Sequence, residues 1–117
     1  MGIRLKRIYD AAADDDGYRV LVDRIWPRGV AKADAALDEW RKELAPSRAL
    51  RQWFGHDRER WEEFASAYRA ELNQAGADLI AQLRDRAADP GLTLLFAARD
   101  TECNNAVVLK RYLEDSR

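Results

Sequence analysis

Two short apolar runs that end abruptly in charged residues are the feature that most constrains the fold of this chain. Residues 20–22 read Val-Leu-Val and are followed by Asp23-Arg24, and residues 92–98 read Leu-Thr-Leu-Leu-Phe-Ala-Ala and are followed by Arg99-Asp100. A continuous apolar run is typical of a strand that is covered on both faces, as in a parallel sheet. We therefore predict two buried core strands with charged side chains at their carboxyl ends.

Helical patterns fill the region between the two runs, which is what a crossover between parallel strands requires. Such a crossover brings the carboxyl ends of both strands to one edge of the sheet, where the two Asp/Arg pairs can meet. The predicted helices are residues 34–44 capped by Asp34, residues 47–54 capped by Ser47, a helix from His56 or Asp57 to Leu72, residues 77–88, and a last helix that begins at Thr101 or Asn104.

The amino-terminal residues predict one further strand and an acidic turn. Residues 3–9 alternate apolar and charged side chains, which favours an outer strand, and residues 14–17 read Asp-Asp-Asp-Gly, which favours a solvated turn. The connection is too short for a helical crossover, so a hairpin is the simplest expectation if this strand and the strand at residues 20–22 are neighbours.

Length and composition indicate one domain over residues 1–117. Hydrophobic residues make up 47% of the 117, enough for a substantial core, and the fold class we predict is α/β: a small single domain with a mostly parallel central sheet flanked by helices. The 20 Lys and Arg nearly cancel the 21 Asp and Glu, so strong nucleic-acid binding is not expected.

The sequence also gives expectations about the location of the protein and about its cofactors. No apolar run is long enough to span a bilayer and the first residues lack a secretory signal, so we expect a cytoplasmic protein without membrane association. A single cysteine, Cys103, and a single histidine, His56, do not favour a disulfide or a zinc site. No Walker loop, Rossmann glycine fingerprint or serine elbow is present, so neither a cofactor nor a metal is predicted, and the oligomeric state stays open.

The candidate site follows from the place where ligands collect in open α/β sheets, just beyond the carboxyl ends of the strands. Arginines there can bind phosphate or carboxylate groups in bidentate fashion, and a carboxylate can act as a general base. The candidate ligand-binding residues are Arg24, Trp26, Arg28, Arg99, Asn104 and Asn105, and the candidate catalytic residues are Asp23 and Asp100.

Each of these residues also has a purely structural interpretation. The arginines and carboxylates can form a self-satisfied network of ion pairs, Trp26 can be a core plug under its loop, and one of the two asparagines can be a helix cap. His56 favours a helix-cap role, with proton transfer as the alternative, and Cys103 could act as a nucleophile only with His56 as its base.

Several longer motifs identify a family resemblance. They cover nearly the whole chain and resemble the YeaO-like branch of the domain of unknown function 488 family, which implies a small α/β domain but no established activity. Where the wider family often carries cysteine and histidine, this chain has Ala97, Ala98, Asn104 and Asn105, so thiol or metal chemistry is not carried over. The matching segments are residues 16–29, 37–40, 44–47, 53–57, 61–64, 94–100 and 104–109.

The sequence thus supports two hypotheses of function. In the first, the protein binds a small anionic or nucleotide-like ligand in a polar cleft at the carboxyl ends of the core strands, with acid–base catalysis as an accompanying hypothesis. In the second, it is an interaction module that contacts a protein or single-stranded nucleic acid through its aromatic helices and the Trp26-Pro27-Arg28-Gly29 loop. Exposed tryptophans would favour the second hypothesis and a concave polar site the first.

Overall fold

A single four-stranded parallel sheet forms the centre of the structure, a computed structural model that describes residues 2–115. The strand order is β1-β4-β2-β3, and every neighbouring pair is parallel, which confirms the predicted α/β class. The strands are β1 (Ile3–Arg7), β2 (Tyr18–Leu21), β3 (Glu39–Trp40) and β4 (Leu92–Phe96).

Helices and short 3-10 turns connect the strands. The helices are α1 (Lys32–Ala35), α2 (Arg48–Phe54), α3 (Trp61–Gln74), α4 (Ala77–Ala88) and α5 (Asn105–Asp115), and the 3-10 turns are Asp14–Asp16, Lys42–Leu44 and Arg58–Arg60. Among the described residues, no helix combines the length and the apolar character needed to cross a membrane.

The predicted helix caps at Ser47 and Asn104 are confirmed. The Ser47 hydroxyl accepts from the Leu50 N–H at 3.2 Å and starts α2, which ends at Gly55 in a left-handed conformation. The Asn104 side-chain oxygen accepts from the Val107 N–H at 3.1 Å and starts α5. Local hydrogen bonding sets these boundaries, so they can be recognised in the sequence.

Successive residues of the core strands pack into two different cores. Val20 and Val22 join the larger core with the helices, whereas Leu21 points to the other face and joins Leu95 in a smaller core. The smaller core is covered by loop residues that include Trp26 and Trp40. The period of two along a strand explains why a strand covered on both faces is apolar at every position.

The prediction of one helix over residues 34–44 is wrong. Ala36 takes a left-handed conformation and ends α1 after about one turn, and the chain then runs beside β2 as β3. The Arg41 N–H donates to the Leu21 carbonyl at 2.9 Å, and the Asp38 N–H donates to the Arg19 carbonyl at 2.9 Å. The open edge of β2 needs hydrogen-bond partners, and this requirement outweighs the helical spacing of Leu37, Trp40 and Leu44.

The condition under which a hairpin was expected, that the first two strands are neighbours, is not met. β1 and β2 are not neighbours, because β4 lies between them and pairs with both in parallel. The prediction that the first strand is an outer one is confirmed, since β1 is at the edge of the sheet. β4 is buried at all five positions, so it occupies the centre of the sheet and separates the two amino-terminal strands.

The prediction that residues 14–17 form a solvated turn is wrong for Asp16. Asp14 and Asp15 are exposed, but Asp16 is buried. Asp16 is 2% exposed, and its carboxylate accepts from Lys6 Nζ at 2.9 Å, from the Arg19 guanidinium and from the Ala13 N–H at 3.0 Å. Burial raises the pKa of Asp16, but these hydrogen bonds outweigh it and lower the pKa to about 2.

Candidate ligand-binding site

A cleft of about 750 Å³ lies at the carboxyl ends of β2 and β4. This volume falls within the range that small-molecule sites occupy. All eight residues singled out in the sequence line this cleft: Asp23, Arg24, Trp26, Arg28, Arg99, Asp100, Asn104 and Asn105. The parallel pairing of β2 with β4 brings the two Asp/Arg pairs to one edge of the sheet.

Apolar side chains form much of the cleft wall. Phe54 and Phe64 are buried and stack with their ring centroids 4.2 Å apart, and Pro27 and Pro46 add further apolar surface. Tyr9 (47% exposed) and Ile25 (58% exposed) line the same cleft at its outer part. The cleft therefore offers a surface suited to a flat apolar ring as well as charged groups.

Asp23 joins the ends of the two core strands. One oxygen of its carboxylate accepts from the Ala97 N–H at 2.9 Å, and the other accepts from Asn105 Nδ2 at 3.2 Å. Burial raises the pKa of Asp23, while these two hydrogen bonds and the charges of Arg51 and His56 oppose the rise. Asp23 is thus a half-buried carboxyl that holds its proton to a higher pH than an exposed aspartate does.

The two asparagines have different roles. Asn104 is 2% exposed, and both ends of its amide are used, since Nδ2 donates to the Asp100 carbonyl at 2.8 Å and the oxygen caps α5. Asn105 donates from Nδ2 to the Val22 carbonyl at 3.0 Å as well as to Asp23. Within residues 2–115, no hydrogen bond engages the side-chain oxygen of Asn105, so this acceptor is open to a ligand.

Asp100 is held by partners that the sequence pattern did not indicate. Both of its carboxylate oxygens accept from the Arg58 guanidinium at 2.8 Å, and the N–H groups of Glu102 and Cys103 donate to the same carboxylate. The backbone N–H of Cys103, that of Glu102 and then Arg58 lower the pKa of Asp100 to about 2. Such a carboxylate is a poor proton acceptor, so the geometry favours a structural role for Asp100 over a general base.

Of the three arginines predicted for the cleft, Arg24 donates hydrogen bonds to the protein backbone, whereas Arg28 and Arg99 differ from it. Arg24 donates from Nε to the Pro46 carbonyl at 3.1 Å, and so holds the loop after residue 44 against the end of β2. Arg28 and Arg99 are exposed, and no side-chain hydrogen bond or ion pair engages either guanidinium among the described residues. These two arginines can therefore turn toward an anion without losing an internal partner.

Arg51 and His56 line the cleft but were not assigned to it from the sequence. Arg51 is half-buried on α2, one turn before Phe54, and the described part of the chain gives its guanidinium no hydrogen-bond partner. The spacing of three residues from Phe54 was a usable signal, since it places both side chains on one helix face. His56 is exposed. Its own φ is 59°, and it follows Gly55, which is also in the left-handed conformation.

Trp26 has a packing role in the smaller core, and it also lines the cleft. Its Nε1 donates to the Val30 carbonyl at 2.8 Å, and its ring meets Trp40 edge-on with centroids 5.3 Å apart. The ring thus packs on the smaller core, yet it also lines the cleft. Cys103 is half-buried and does not line the cleft, so the arrangement does not pair it there with His56.

Comparisons with known proteins find relatives of this chain, and the names of these relatives state no activity. The chain is 47% identical over 113 residues to the uncharacterized protein YeaO of Escherichia coli strain K12, covering 97% of each chain. It is 42% identical over 111 residues to the uncharacterized protein Rv3073c of Mycobacterium tuberculosis strain H37Rv, covering 95% of this chain and 92% of that protein. The uncharacterized protein Mb3100c of Mycobacterium bovis matches to the same extent.

No solved structure matches this chain significantly. A family profile described as the inactive DUF488-N3 subclade matches residues 2–117, which is nearly the whole chain. The chain therefore belongs to the domain of unknown function 488 family, within the subclade described as inactive DUF488-N3.

Proposed function

We propose that this protein binds a small anionic or nucleotide-like ligand in the cleft at the carboxyl ends of β2 and β4. The observation that carries the proposal is the set of three cleft arginines, Arg28, Arg51 and Arg99, whose guanidinium groups have no internal partner within residues 2–115. Four arginines and two aspartates line the cleft, so a chain with a net charge of −1 carries local positive charge beside an apolar wall. Guanidinium groups in such a setting bind phosphate and carboxylate groups well.

Binding without turnover is the form of the proposal that we favour. The matching subclade is described as inactive, and Asp100, one of the two candidate bases, has a pKa lowered to about 2 by its backbone N–H donors and by Arg58. Asp23 has a raised pKa and lines the cleft, so it is the group to which acid–base chemistry would fall if a reaction exists. A cytoplasmic location and weak nucleic-acid binding are part of the same proposal.

The interaction module is the alternative proposal. Its support is the exposure of Trp53 (40%) on α2, together with Tyr9 and Ile25. Against it, Trp26, Trp40 and Trp61 are half-buried, and the Arg60 guanidinium lies over the Trp53 ring at 5.1 Å. The tryptophans thus contribute mainly to packing, which favours the ligand-binding proposal.

Isothermal titration calorimetry with sulfate, inorganic phosphate and nucleoside monophosphates tests the proposal. We expect measurable binding of at least one of these anions, and a loss of about tenfold or more in affinity for Arg51→Ala and Arg99→Ala, because each removes a charge-assisted hydrogen bond. Arg111→Ala is the matched control, since Arg111 is exposed on α5 and does not line the cleft. An equal loss in Arg111→Ala, or no binding of any anion to the unmodified protein, would refute the proposal.

A further inference from the structure

The cleft carries hydrogen-bond acceptors among its half-buried side chains, whereas its exposed charged side chains include two arginines. The exposed guanidinium groups of Arg28 and Arg99 lie at the outer part, whereas the half-buried Asp23 carboxylate and the open side-chain oxygen of Asn105 lie further in. The exposed part of the cleft is thus cationic, whereas the half-buried part offers hydrogen-bond acceptors on Asp23 and Asn105 together with the Arg51 guanidinium. A ligand that satisfies both parts carries N–H donors at one end and an anionic group at the other.

Asp23 retains hydrogen-bonding capacity for such a ligand. Each of its carboxylate oxygens accepts one hydrogen bond from the protein, from Ala97 or from Asn105, and a carboxylate has about four acceptor positions in all. The remaining positions can accept two parallel N–H groups, in the same way that a carboxylate accepts an arginine fork. The neighbouring aromatic and proline side chains can cover the faces of a flat ring.

Among the common bases, guanine presents two adjacent donors, the ring N1–H and the 2-amino group, on one edge. On the corresponding edge adenine and uracil alternate donors with acceptors, and cytosine has one donor beside two acceptors, so a carboxylate meets at least one acceptor there. Pterins share the 2-amino-4-oxo pyrimidine ring of guanine and present the same pair of donors. We propose that the cleft selects an anion-bearing 2-amino-4-oxo pyrimidine ring, held by Asp23 at the ring edge and by Arg28 and Arg99 at the anionic tail. This inference rests on the proposed function.

Calorimetric titration with GMP, IMP and folate tests the inference. IMP differs from GMP only in lacking the 2-amino group, so we expect GMP to bind about tenfold or more tightly than IMP, because one hydrogen bond to a charged acceptor is lost. Folate carries a pterin ring with a carboxylate tail and distinguishes the pterin source of the chemistry from the nucleotide source. If folate binds and GMP does not, the inference is supported and the ligand is a pterin.

Two variants separate the ring contacts from the anion contacts. Asp23→Asn should reduce the ratio of GMP to IMP affinity to about one, because it offers a donor where the ring edge also has donors. The same variant should bind sulfate at least as tightly as the unmodified protein, since a negative charge has left the cleft, and this also reports that it is folded. Arg99→Gln should lower the affinities for GMP and IMP by the same factor.

The outcomes distinguish this inference from the proposed function. Equal affinities for GMP and IMP, with folate not bound and with both nucleotides weakened by Arg99→Gln, would overturn the ring selection and leave the anion site standing. Absence of binding for sulfate, nucleotides and folate alike would overturn both. If Asp23→Asn does not fold, the ratio of GMP to IMP affinity in the unmodified protein and the Arg99→Gln control still decide.

Discussion

Asp16 is the residue whose behaviour differs most from its local sequence. It lies in a run of three aspartates, yet it is the member that is buried, and it binds Lys6 of β1 and Arg19 of β2 while its own carbonyl accepts from the Thr93 hydroxyl at 2.6 Å. One carboxylate thereby connects the first two strands, and one carbonyl connects the same turn to β4. Removing one partner from a buried ion pair leaves the other charge uncompensated, which is costly.

The pKa of Asp16 predicts how stability depends on pH. Its folded pKa of about 2 is lower than the ordinary value of 3.8, so its contribution is fully present above about pH 4 and is lost as the pH falls toward 2. We expect Asp16→Asn to lower the free energy of unfolding near pH 7 by about 2–4 kcal/mol and to flatten the pH dependence between pH 2 and 4. Urea unfolding at several pH values measures both effects.

Asp15→Asn is the control for Asp16. Asp15 pairs with Arg4 on the surface, where its side chain is 70% exposed, and such pairs contribute little. An unchanged stability for Asp16→Asn, or a loss as large for Asp15→Asn, would contradict the structural role given to Asp16.

At the scale of elements, the position of the cleft depends on the turns at the amino ends of β2 and β4. These turns hold the two strands in register. The Tyr18 N–H donates to the Gly91 carbonyl at 2.8 Å, and Tyr18 pairs with Leu92 at the start of both strands. Gly17 has a φ of 68°, and a Cβ atom there would lie 2.4 Å from the Gly91 carbonyl oxygen. This close approach fixes where the two strands begin, and therefore where their charged carboxyl ends lie.

Gly17→Ala is expected to lower the free energy of unfolding by about 3 kcal/mol or more, because it combines a backbone clash with an unfavourable φ. Gly29→Ala is the matched control, since Gly29 has a φ of 80° but nothing lies within 4 Å of its Cβ position. That variant should lose only about 1 kcal/mol from backbone strain. Denaturant unfolding of both variants gives the comparison, and equal losses would show that the approach to Gly91 does not constrain the sheet.

At the scale of the whole molecule, charge is balanced overall and uneven locally. The net charge is −1, and four arginines with two aspartates line the cleft, of which Asp100 is already paired with Arg58. A local cationic cleft attracts a small anion, but it lacks the extended basic surface that binds a polyanion through many phosphate contacts.

Fluorescence anisotropy with a short labelled single-stranded oligonucleotide tests this distribution of charge. At physiological salt we expect a dissociation constant weaker than about 100 µM, because few phosphates can be neutralised at once. Arg111→Ala and Arg99→Ala should differ little in this assay. Tight, salt-sensitive binding that Arg99→Ala removes would favour the interaction module instead of a small-molecule cleft.

The sequence by itself determined the elements whose causes are local. Apolar runs marked β2 and β4, capping side chains marked the starts of α2 and α5, and the charged residues after each strand marked the cleft, because the carboxyl ends of parallel strands share an edge. Only the tertiary structure decided the course of residues 34–44, the burial of Asp16, the capture of Asp100 by Arg58 and the entry of Arg51 into the cleft. The first three depend on hydrogen-bond or charge partners that are distant in the chain or on another element, and local periodicity carries no information about such partners. The entry of Arg51 depends on the packing of α2 beside the ends of β2 and β4, which the helical spacing from Phe54 alone does not place.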